Sequence, residues 1–277
     1  MKLGSKRVRT FSKIFLVPIK SRKRFGKFDL GEVVSDEIKR NRVKLRGNDI
    51  VVVSSKFAAM SEGRFVDLST INPSSEAHDL ASKYNVDPTL AQLVKEESEV
   101  ILGGIPGFIL AVSKGILAPN AGIDRSNVPE GFAILYPTNP QETAEKLRVD
   151  LMKRNSSKLG GISKLGVVLS DSRVTPTRLG TIGIAIAAAG FSPVLDFRGF
   201  KDLFGNTLKV TMKAEADELA SAAQLVMGEA SESVPIVLIR GYHAKFSGRN
   251  RDIGSMVISP ERCLYIQGLK NGMKPGY

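Results

Sequence analysis

The sequence predicts an α+β fold in which largely antiparallel sheets pack against helices, and two observations lead to this class. Between residues 100 and 118, three short apolar runs alternate with the turn sequences GGIPG and SKG, which is typical of an antiparallel meander. Elsewhere, single strand-like runs alternate with longer segments whose apolar residues recur at helical spacing. This mixture favours an α+β fold over a doubly wound parallel sheet.

The first half of the chain gives a local signal for each element. Apolar residues at helical spacing predict the first helix, the turn at 47–49 leads into a strand, and Asp87 followed by Pro88 is a favourable helix start. The elements predicted in order are a strand at 14–19, a helix at 30–42, a strand at 50–54, an extended segment at 59–68 with a turn at 62–63, helices at 76–84 and 88–97, and meander strands at 100–102, 108–112 and 115–118.

The second half continues the alternation, without an internal repeat or a long linker. Its predicted elements are a strand at 132–136, a helix at 140–155, a strand at 165–169 followed by an apolar run to 190, a loop-rich stretch from 195, an extended segment at 208–211, a helix at 214–227 and a strand at 234–240. The Ser- and Gly-rich segment 155–163 predicts a hinge between two lobes.

Positive charge is concentrated at the start of the chain. The net charge is +12, and residues 1–28 hold ten Lys or Arg and no acid, so the rest of the chain is close to neutral. Such a segment attracts polyanions, but a solvated tail that aids solubility is an equally good interpretation. Residues 20–24 are the stronger candidate for function because they directly follow a predicted strand.

Composition indicates a cytoplasmic protein. The single cysteine, Cys263, excludes an internal disulfide framework. The longest apolar stretches, at 100–112 and 182–191, are shorter than the about 20 residues of a membrane helix. The first residues lack the apolar core of a secretory signal.

Acidic residues that directly follow predicted core elements are the candidates for chemistry. The chain has no GxxxxGK[ST] phosphate loop, and its two histidines have no partners at metal-ligand spacing. Asp124, Asp171 with Ser172, and Glu229 each follow an apolar strand or a helix. Carboxylates in such positions suit a site for Mg²⁺ or Mn²⁺. Taken singly, each is also an ordinary turn, cap or surface residue.

A second concentration of charge lies in the segment LDFRGFKDLFGN. It carries Asp196, Arg198, Lys201 and Asp202 between aromatic residues and glycines. The segment is either a solvated hairpin loop or a loop that grips an anionic substrate.

Read together, these segments resemble the coenzyme F420-0:L-glutamate ligase family. The resemblance rests on SSK…SEGRFVDL (54–68), NAGIDRSN (120–127), LSDSR…R.GT.GIAI..AG (169–190), DFRGFKDLFGNTLKVT (196–211), ADELASAAQLVMGE (216–229) and VPIVLIRG (234–241). It covers residues 12–265 and leaves a basic N-terminal arm, 1–11, and a C-terminal tail, 266–277, outside it.

The resemblance implies a GTP-dependent amide ligase that acts on coenzyme F420-0 and L-glutamate as an intertwined homodimer. It further implies two divalent ions, Mg²⁺ or Mn²⁺, and a K⁺ ion. Asp124 and Asp171 resemble the ligands of one metal, and Ser172 and Glu229 those of the second. The segments that would line the GTP site are Pro18, Ile19, Lys20, Ser21, Ser55, Lys56, Asn127, and the loop Met227, Gly228, Glu229, Ala230, Ser231, Glu232, Ser233, Val234. Lys20, Lys56, Arg178 and Arg198 are candidates to clamp phosphate or carboxylate groups.

Departures from the family pattern keep alternatives open. Ser172 stands where many members have Thr, the loop 172–177 lacks the usual Trp, and Met60 stands where a Lys is common. A ligase of the same fold with another γ-glutamyl acceptor is therefore an alternative. The basic arm motivates a second alternative, an RNA-binding protein. The near-neutral charge of the rest of the chain and the lack of an RNA-binding module disfavour it.

Overall fold

The computed structural model describes residues 13–155, 161–246 and 256–272, and these ranges contain twelve strands and seven α-helices. The strands are β1 (Phe15–Ile19), β2 (Ile50–Ser54), β3 (Phe65–Asp67), β4 (Val100–Ile105), β5 (Phe108–Ser113), β6 (Ile116–Pro119), β7 (Phe132–Ile134), β8 (Gly166–Val174), β9 (Thr181–Ala189), β10 (Leu195–Asp196), β11 (Met212–Lys213) and β12 (Ile236–Arg240). The helices are α1 (Leu30–Arg40), α2 (Ser55–Glu62), α3 (Ser75–Tyr84), α4 (Pro88–Glu97), α5 (Pro140–Arg154), α6 (Glu215–Met227) and α7 (Leu264–Gly272).

A five-stranded sheet in the order β1-β12-β2-β8-β9 forms the centre of the structure. Its pairs are antiparallel except β2 with β8, which run parallel from Ile50↔Gly166 to Ser54↔Ser170. The meander β4-β5-β6 and the small pairs β3-β7 and β10-β11 are also antiparallel. The predicted α+β class with largely antiparallel sheets is confirmed.

Helices cover both faces of the central sheet. Successive side chains of a strand point to opposite faces, so each strand contributes to the core on either side. Val51 and Val53 of β2 pack in a core with α1, α2 and α5, whereas Ile50 and Val52 pack in a core with α6. The meander and α3–α4 share a separate hydrophobic core. The helices therefore bury both faces of the central strand β2.

Several helix starts follow from the sequence. The side chains of Asp29, Asp87 and Asn139 accept hydrogen bonds from the first-turn amides of α1, α4 and α5, with Oδ1 of Asp29 lying 2.7 Å from the amide of Glu32. Such caps satisfy amides that a helix leaves without an intrahelical partner. Helix α4 has the predicted bounds, and α5 begins at the predicted residue.

Two predicted elements are wrong, and one helix was missed. Residues 59–62 are not extended but form the end of α2, which stops where Gly63 adopts a left-handed conformation with φ 78°. A short apolar run does not distinguish helix from strand, and here the α2 residues Phe57 and Ala58 pack against the sheet. Residues 208–211 form no strand, because the pairing partner of β10 is β11. No helix was predicted at α7.

One strand is longer than predicted. The strand expected at 165–169 begins at Gly166 and extends through polar residues to Val174.

Other predictions are not tested by the structure. The basic arm 1–11 and most of the hinge segment, 156–160, lie outside the described residues, and the two-lobe arrangement and the intertwined homodimer stay predictions. None of the described helices combines the length and the apolarity needed to cross a bilayer.

A buried ion pair joins the start of β2 to the end of β12, and we expect its loss to destabilise the sheet. Asp49 is 1% exposed and accepts hydrogen bonds from Nε and Nη2 of Arg240 at 2.8 and 2.7 Å. Asp49→Ala should lower the free energy of unfolding by about 3 kcal/mol, because Arg240 loses its counterion. Urea unfolding measures this. The exposed pair of Asp36 and Lys39 supplies the control, since Asp36→Ala should cost less than about 1 kcal/mol. Equal effects of the two variants would refute the expectation.

Candidate active site

The parallel pair β2–β8 brings two chain segments together at one edge of the central sheet. Ser54 lies beside Ser170, so the start of α2 and Asp171 emerge next to each other. Ligands of α/β sheets commonly bind where parallel strands end, and a helix N-terminus favours anions there. Ser55 and Lys56, in the first turn of α2, thereby lie beside Asp171 although they are far from it in sequence.

Both oxygens of the Asp171 carboxylate accept a hydrogen bond from a hydroxyl group. Ser55 Oγ donates to Oδ1 at 2.8 Å, and the Tyr136 hydroxyl donates to Oδ2 at 2.7 Å. Burial raises the pKa of Asp171, and the nearby Asp124 adds to this, while the two hydrogen bonds and the charge of Lys56 only partly oppose it. A cation bound here would restore the ionised form.

Asp124 reaches the same edge from a different sheet. Its backbone pairs with Ile134 of β7, with N–O distances of 3.0 and 2.8 Å. Lys56 Nζ lies 2.5 Å from Asp124 Oδ2 and donates to Ser126 Oγ at 2.7 Å. Burial raises the pKa of Asp124, but Lys56 and the hydrogen bonds from Ser126 outweigh it, so the net pKa is lowered. Lys56 therefore forms its ion pair with Asp124, and Asp171 makes no ion pair with any of the described residues.

Ser172 and Glu229 form a second pair beside the first. Ser172 Oγ donates to Glu229 Oε2 at 3.3 Å, and Thr181 Oγ1 donates to Oε1 at 2.9 Å. Gln224 also donates to Oε1. Because neighbouring strand residues point to opposite faces, Ser172 faces α6 while Asp171 faces α2. Gly228 ends α6 at φ 77° and directs the chain into Glu229.

The four predicted metal ligands thus lie as two adjacent pairs, Asp124 with Asp171 and Ser172 with Glu229. Within the described ranges, no three His, Cys, Asp or Glu side chains gather closely enough to hold a metal ion by themselves. The candidate metal-binding atoms of these four residues are all oxygens, the ligand type that Mg²⁺ and Mn²⁺ prefer.

The segments predicted to line a nucleotide site are brought together by backbone contacts. β1 pairs with β12, which aligns Ile19 with Ile236. Ser21 N donates to Ser233 O, and Ser233 Oγ donates to Ser21 O, both at 2.9 Å. Asn127 Nδ2 donates to Ala230 O at 3.1 Å, which connects the loop after Asp124 to the segment 227–234. Their role as a GTP site stays a prediction.

Arg178 does not join these groups. Its side chain is exposed and makes no hydrogen bond or ion pair with any residue that the structure describes. Arg173 lies nearer, because it follows Asp171 by two residues and shares its face of β8. Burial lowers the pKa of Arg173, and the nearby Tyr136, Asp217 and Asp171 oppose that shift.

Sequence reasoning missed four residues of this region: Tyr136, Arg173, Thr181 and Gln224. Period-two alternation along β8 could have identified Arg173 as a neighbour of Asp171 on one face. Tyr136 and Thr181 contact the acids across 35 and 48 residues, and no local pattern indicates them. Gln224 lies near the end of α6, only 5 residues before Glu229, so the end of the predicted helix could have indicated it.

The charged loop between β10 and β11 satisfies its own charges. Arg198 makes bidentate contacts with Asp196, including Nη2 to Oδ2 at 2.6 Å, and Lys201 Nζ donates to Thr207 Oγ1 at 2.6 Å. The amides of Phe204 and Asn206 donate to Asp202 at 2.9 and 2.8 Å. These contacts favour the hairpin-loop interpretation over a free anion clamp, and Arg198 lies apart from the acid pairs.

The loop gives a pH prediction. Hydrogen bonds from the Arg198 side chain and amide lower the pKa of Asp196 to about 2. Because the folded-state pKa is depressed, the pair stabilises the loop above the ordinary carboxyl pKa and loses that effect as the pH falls toward 2. In Arg198→Ala the Asp196 pKa should return toward about 3.9, as a ¹³C NMR titration of its carboxyl would show. An Asp196 pKa that does not move would refute the assignment.

The site consists of two pairs of side chains with oxygen ligands, and it lies beside Lys56 where the pairing of β2 and β8 ends. Such a site suits a hard cation and an anionic substrate. Comparison with known proteins adds the family. The model of the F420-0:gamma-glutamyl ligase family matches residues 25–241, and the chain belongs to this family.

Three relatives illustrate the similarity. Each is named coenzyme F420:L-glutamate ligase. The protein of Methanocaldococcus jannaschii is 42% identical over 211 residues, which cover 76% of this chain and 82% of the relative. That of Methanothermobacter thermautotrophicus is 38% identical over 215 residues, or 77% and 83% of the two chains. That of Methanopyrus kandleri is 35% identical over 253 residues, or 90% and 95%.

Proposed function

We propose that the protein is a cytoplasmic ligase that uses GTP to join L-glutamate to coenzyme F420-0 through an amide bond. Family membership supports the reaction class, and the names of the relatives support the substrates. One observation carries the proposal: Lys56, Asp124 and Asp171 lie close together at one edge of the sheet. The segments 18–21 and 227–234 lie beside them.

The residues present fit divalent metal ions. Asp171 has a raised pKa and makes no ion pair with any of the described residues, and every candidate metal ligand of the two pairs is an oxygen atom. We propose that Asp124 and Asp171 hold one Mg²⁺ or Mn²⁺ and that Ser172 and Glu229 hold the other. Two protein ligands leave most of each coordination shell to water and phosphate oxygens, as is usual for Mg²⁺ at nucleotide sites. A bound metal supplies charge neutralisation for a transferring phosphoryl group. A K⁺ ion is part of the proposal on the resemblance alone.

The chemistry needs two steps and no nucleophilic side chain. The terminal carboxylate of the acceptor attacks the γ-phosphorus of GTP, which gives an acyl phosphate and GDP. The amine of glutamate then attacks the acyl carbon, an amide forms, and inorganic phosphate and a proton leave. Phosphoryl transfer asks the protein mainly for positioning and positive charge. Lys56, at the N-terminus of α2, supplies a cation, and the segments 18–21 and 227–234 supply amides and hydroxyls for the nucleotide.

The proposed reaction is tested by incubating the protein with GTP, Mn²⁺, L-glutamate and coenzyme F420-0 and analysing the products by mass spectrometry. We expect an acceptor enlarged by glutamate together with GDP and phosphate. Omission of GTP is the control. GTP binding without glutamate addition would overturn the acceptor assignment in favour of another γ-glutamyl acceptor, which the altered loop 172–177 motivates.

Loss of a proposed metal ligand should abolish ligation without unfolding the protein. Asp171→Asn and Glu229→Gln each remove a charge but little volume. Each should lower kcat by at least about 100-fold, because a metal ion contributes several kcal/mol of charge stabilisation. Steady-state kinetics and circular dichroism measure the two effects. Asp79→Asn, at an exposed site on α3, is the matched control and should leave kcat unchanged. Near-normal turnover of both variants would refute the metal assignment.

A homodimer is the second part of the proposal. The loop between β10 and β11 exposes large apolar side chains, with Leu203 and Phe204 at its tip almost fully exposed and Val210 close behind. Leu179 and Leu225 are also strongly exposed. Exposed apolar residues in such number are unusual on a monomer and are typical of an interface.

Phe204→Asp should weaken this dimer, because it places a charge where an apolar side chain would be buried between copies. Sedimentation velocity should show a dimer for the unsubstituted protein and a shift toward monomer for the variant. Lys209→Gln, in the same loop, is the control and should stay dimeric. A monomeric unsubstituted protein, or a variant that dimerises equally well, would contradict the proposal.

A further inference from the structure

Tyr136 is a buried residue whose hydroxyl reaches the candidate site. It lies two residues beyond β7, is 4% exposed, and donates to Asp171 Oδ2 at 2.7 Å. It belongs to none of the segments that the resemblance assigns to nucleotide or metal. Its hydroxyl and that of Ser55 occupy different oxygens of the carboxylate.

The backbone around Tyr136 is held on both sides. Leu135 N donates to Arg64 O at 2.9 Å, and Arg64 Nε donates to Tyr136 O at 3.0 Å. Arg64 is itself fixed by Glu97 of α4, with Nη2 2.7 Å from Oε2. The phenol group is therefore delivered to Asp171 from a rigid support and not from a loose loop.

The ring of Tyr136 also fixes the turn that leads into Asp124. Gly122 has φ +76°, and a Cβ built on it would overlap the Tyr136 ring. Only glycine allows both this backbone conformation and this approach. Tyr136 thus contacts the Asp124 segment with its ring and Asp171 with its hydroxyl.

This arrangement controls the orientation of a carboxylate. An ionised carboxylate has about four acceptor positions, so two hydroxyl donors, one on each oxygen, fix its plane and leave lone pairs free. Partners that hold a ligand in this way tune the affinity of the site for its metal. The hydroxyl groups add no charge, so the negative charge of Asp171 stays available to a cation.

We propose that Tyr136 is a positioning residue that holds Asp171, and through Gly122 the Asp124 segment, in the geometry that binds a divalent cation. The inference rests on the proposed metal-dependent ligation, since it assigns Tyr136 a role toward one of the proposed ligands. It is tested with a readout that does not depend on turnover.

The experiment compares Mn²⁺ binding to the unsubstituted protein and to Tyr136→Phe, measured as free Mn²⁺ by electron paramagnetic resonance. The variant loses one oxygen atom and keeps the ring against Gly122. We expect its Kd for Mn²⁺ to rise about 10- to 100-fold, the usual effect of losing a partner of a metal ligand. In the ligation assay, high Mn²⁺ should restore most of kcat, and the KM for GTP at saturating Mn²⁺ should stay unchanged.

Two controls separate positioning from stability. Tyr84→Phe removes the hydroxyl of another buried tyrosine, one that makes no side-chain hydrogen bond with the residues described, and should leave Mn²⁺ binding unchanged. In an Asp171→Asn background, Tyr136→Phe should have no further effect on the Kd, because its role passes through Asp171.

The outcomes are distinct. Unchanged Mn²⁺ affinity in Tyr136→Phe, a variant that fails to fold, or an unsubstituted protein that binds no Mn²⁺ would each overturn the inference. Weaker Mn²⁺ binding with an unchanged Tm supports it. Should that result come with no glutamate addition to coenzyme F420-0, the positioning role stands and the proposed reaction falls.

Discussion

The arrangement of this site depends on the carboxylate of Asp171, which is partly removed from water and forms no ion pair with any of the described residues. Burial disfavours the ionised form of Asp171, and hydrogen bonds from Ser55 and Tyr136 offset only part of that cost. Lys56 is close but forms its ion pair with Asp124. The fold holds this carboxylate just beyond the last pair of β2 with β8, in an arrangement that a cation would complete. The metal hypothesis therefore follows from physical chemistry as well as from family likeness.

The one parallel pairing in an otherwise antiparallel sheet makes this possible. Had β2 and β8 run antiparallel, Ser54 would lie beside the start of β8, and α2 would begin at the end of the sheet away from Asp171. The parallel register instead places the first turn of α2 next to Asp171, with Ser54 opposite Ser170. The antiparallel pair β1–β12 then brings the segments 18–21 and 227–234 close together through Ser21 and Ser233.

Sequence reasoning worked where the physical signal is local. Asp87 followed by Pro88 predicted α4 with its observed bounds, and the glycine-punctuated apolar runs predicted the meander, because caps and turns act within a few residues. It failed at residues 59–62, where packing of the preceding Phe57 decides the conformation. The contacts of Asp171 with Ser55 and Tyr136 span 116 and 35 residues, and no spacing rule encodes such distances. The candidate acids could be named from the sequence, and the family resemblance implied their pairing, but the hydrogen-bond partners of Asp171 could not be predicted.

Contacts of residues 20–24 explain how part of the positively charged N-terminal region is held in place. Residues 20–24 are tied to the end of α1 by Glu37, which is 2% exposed and accepts from the amide of Arg22 at 3.2 Å and from Arg24 Nη2 at 3.4 Å. Burial raises the pKa of Glu37, but hydrogen bonds from Arg40, the Arg22 amide and Arg24 outweigh it, so the net pKa is lowered. This part of the basic region is therefore anchored and joined to the segment 227–234 through Ser21, while most of the remaining chain is near neutral. Positive charge held at that edge raises the local concentration of anionic substrates without making the whole surface basic.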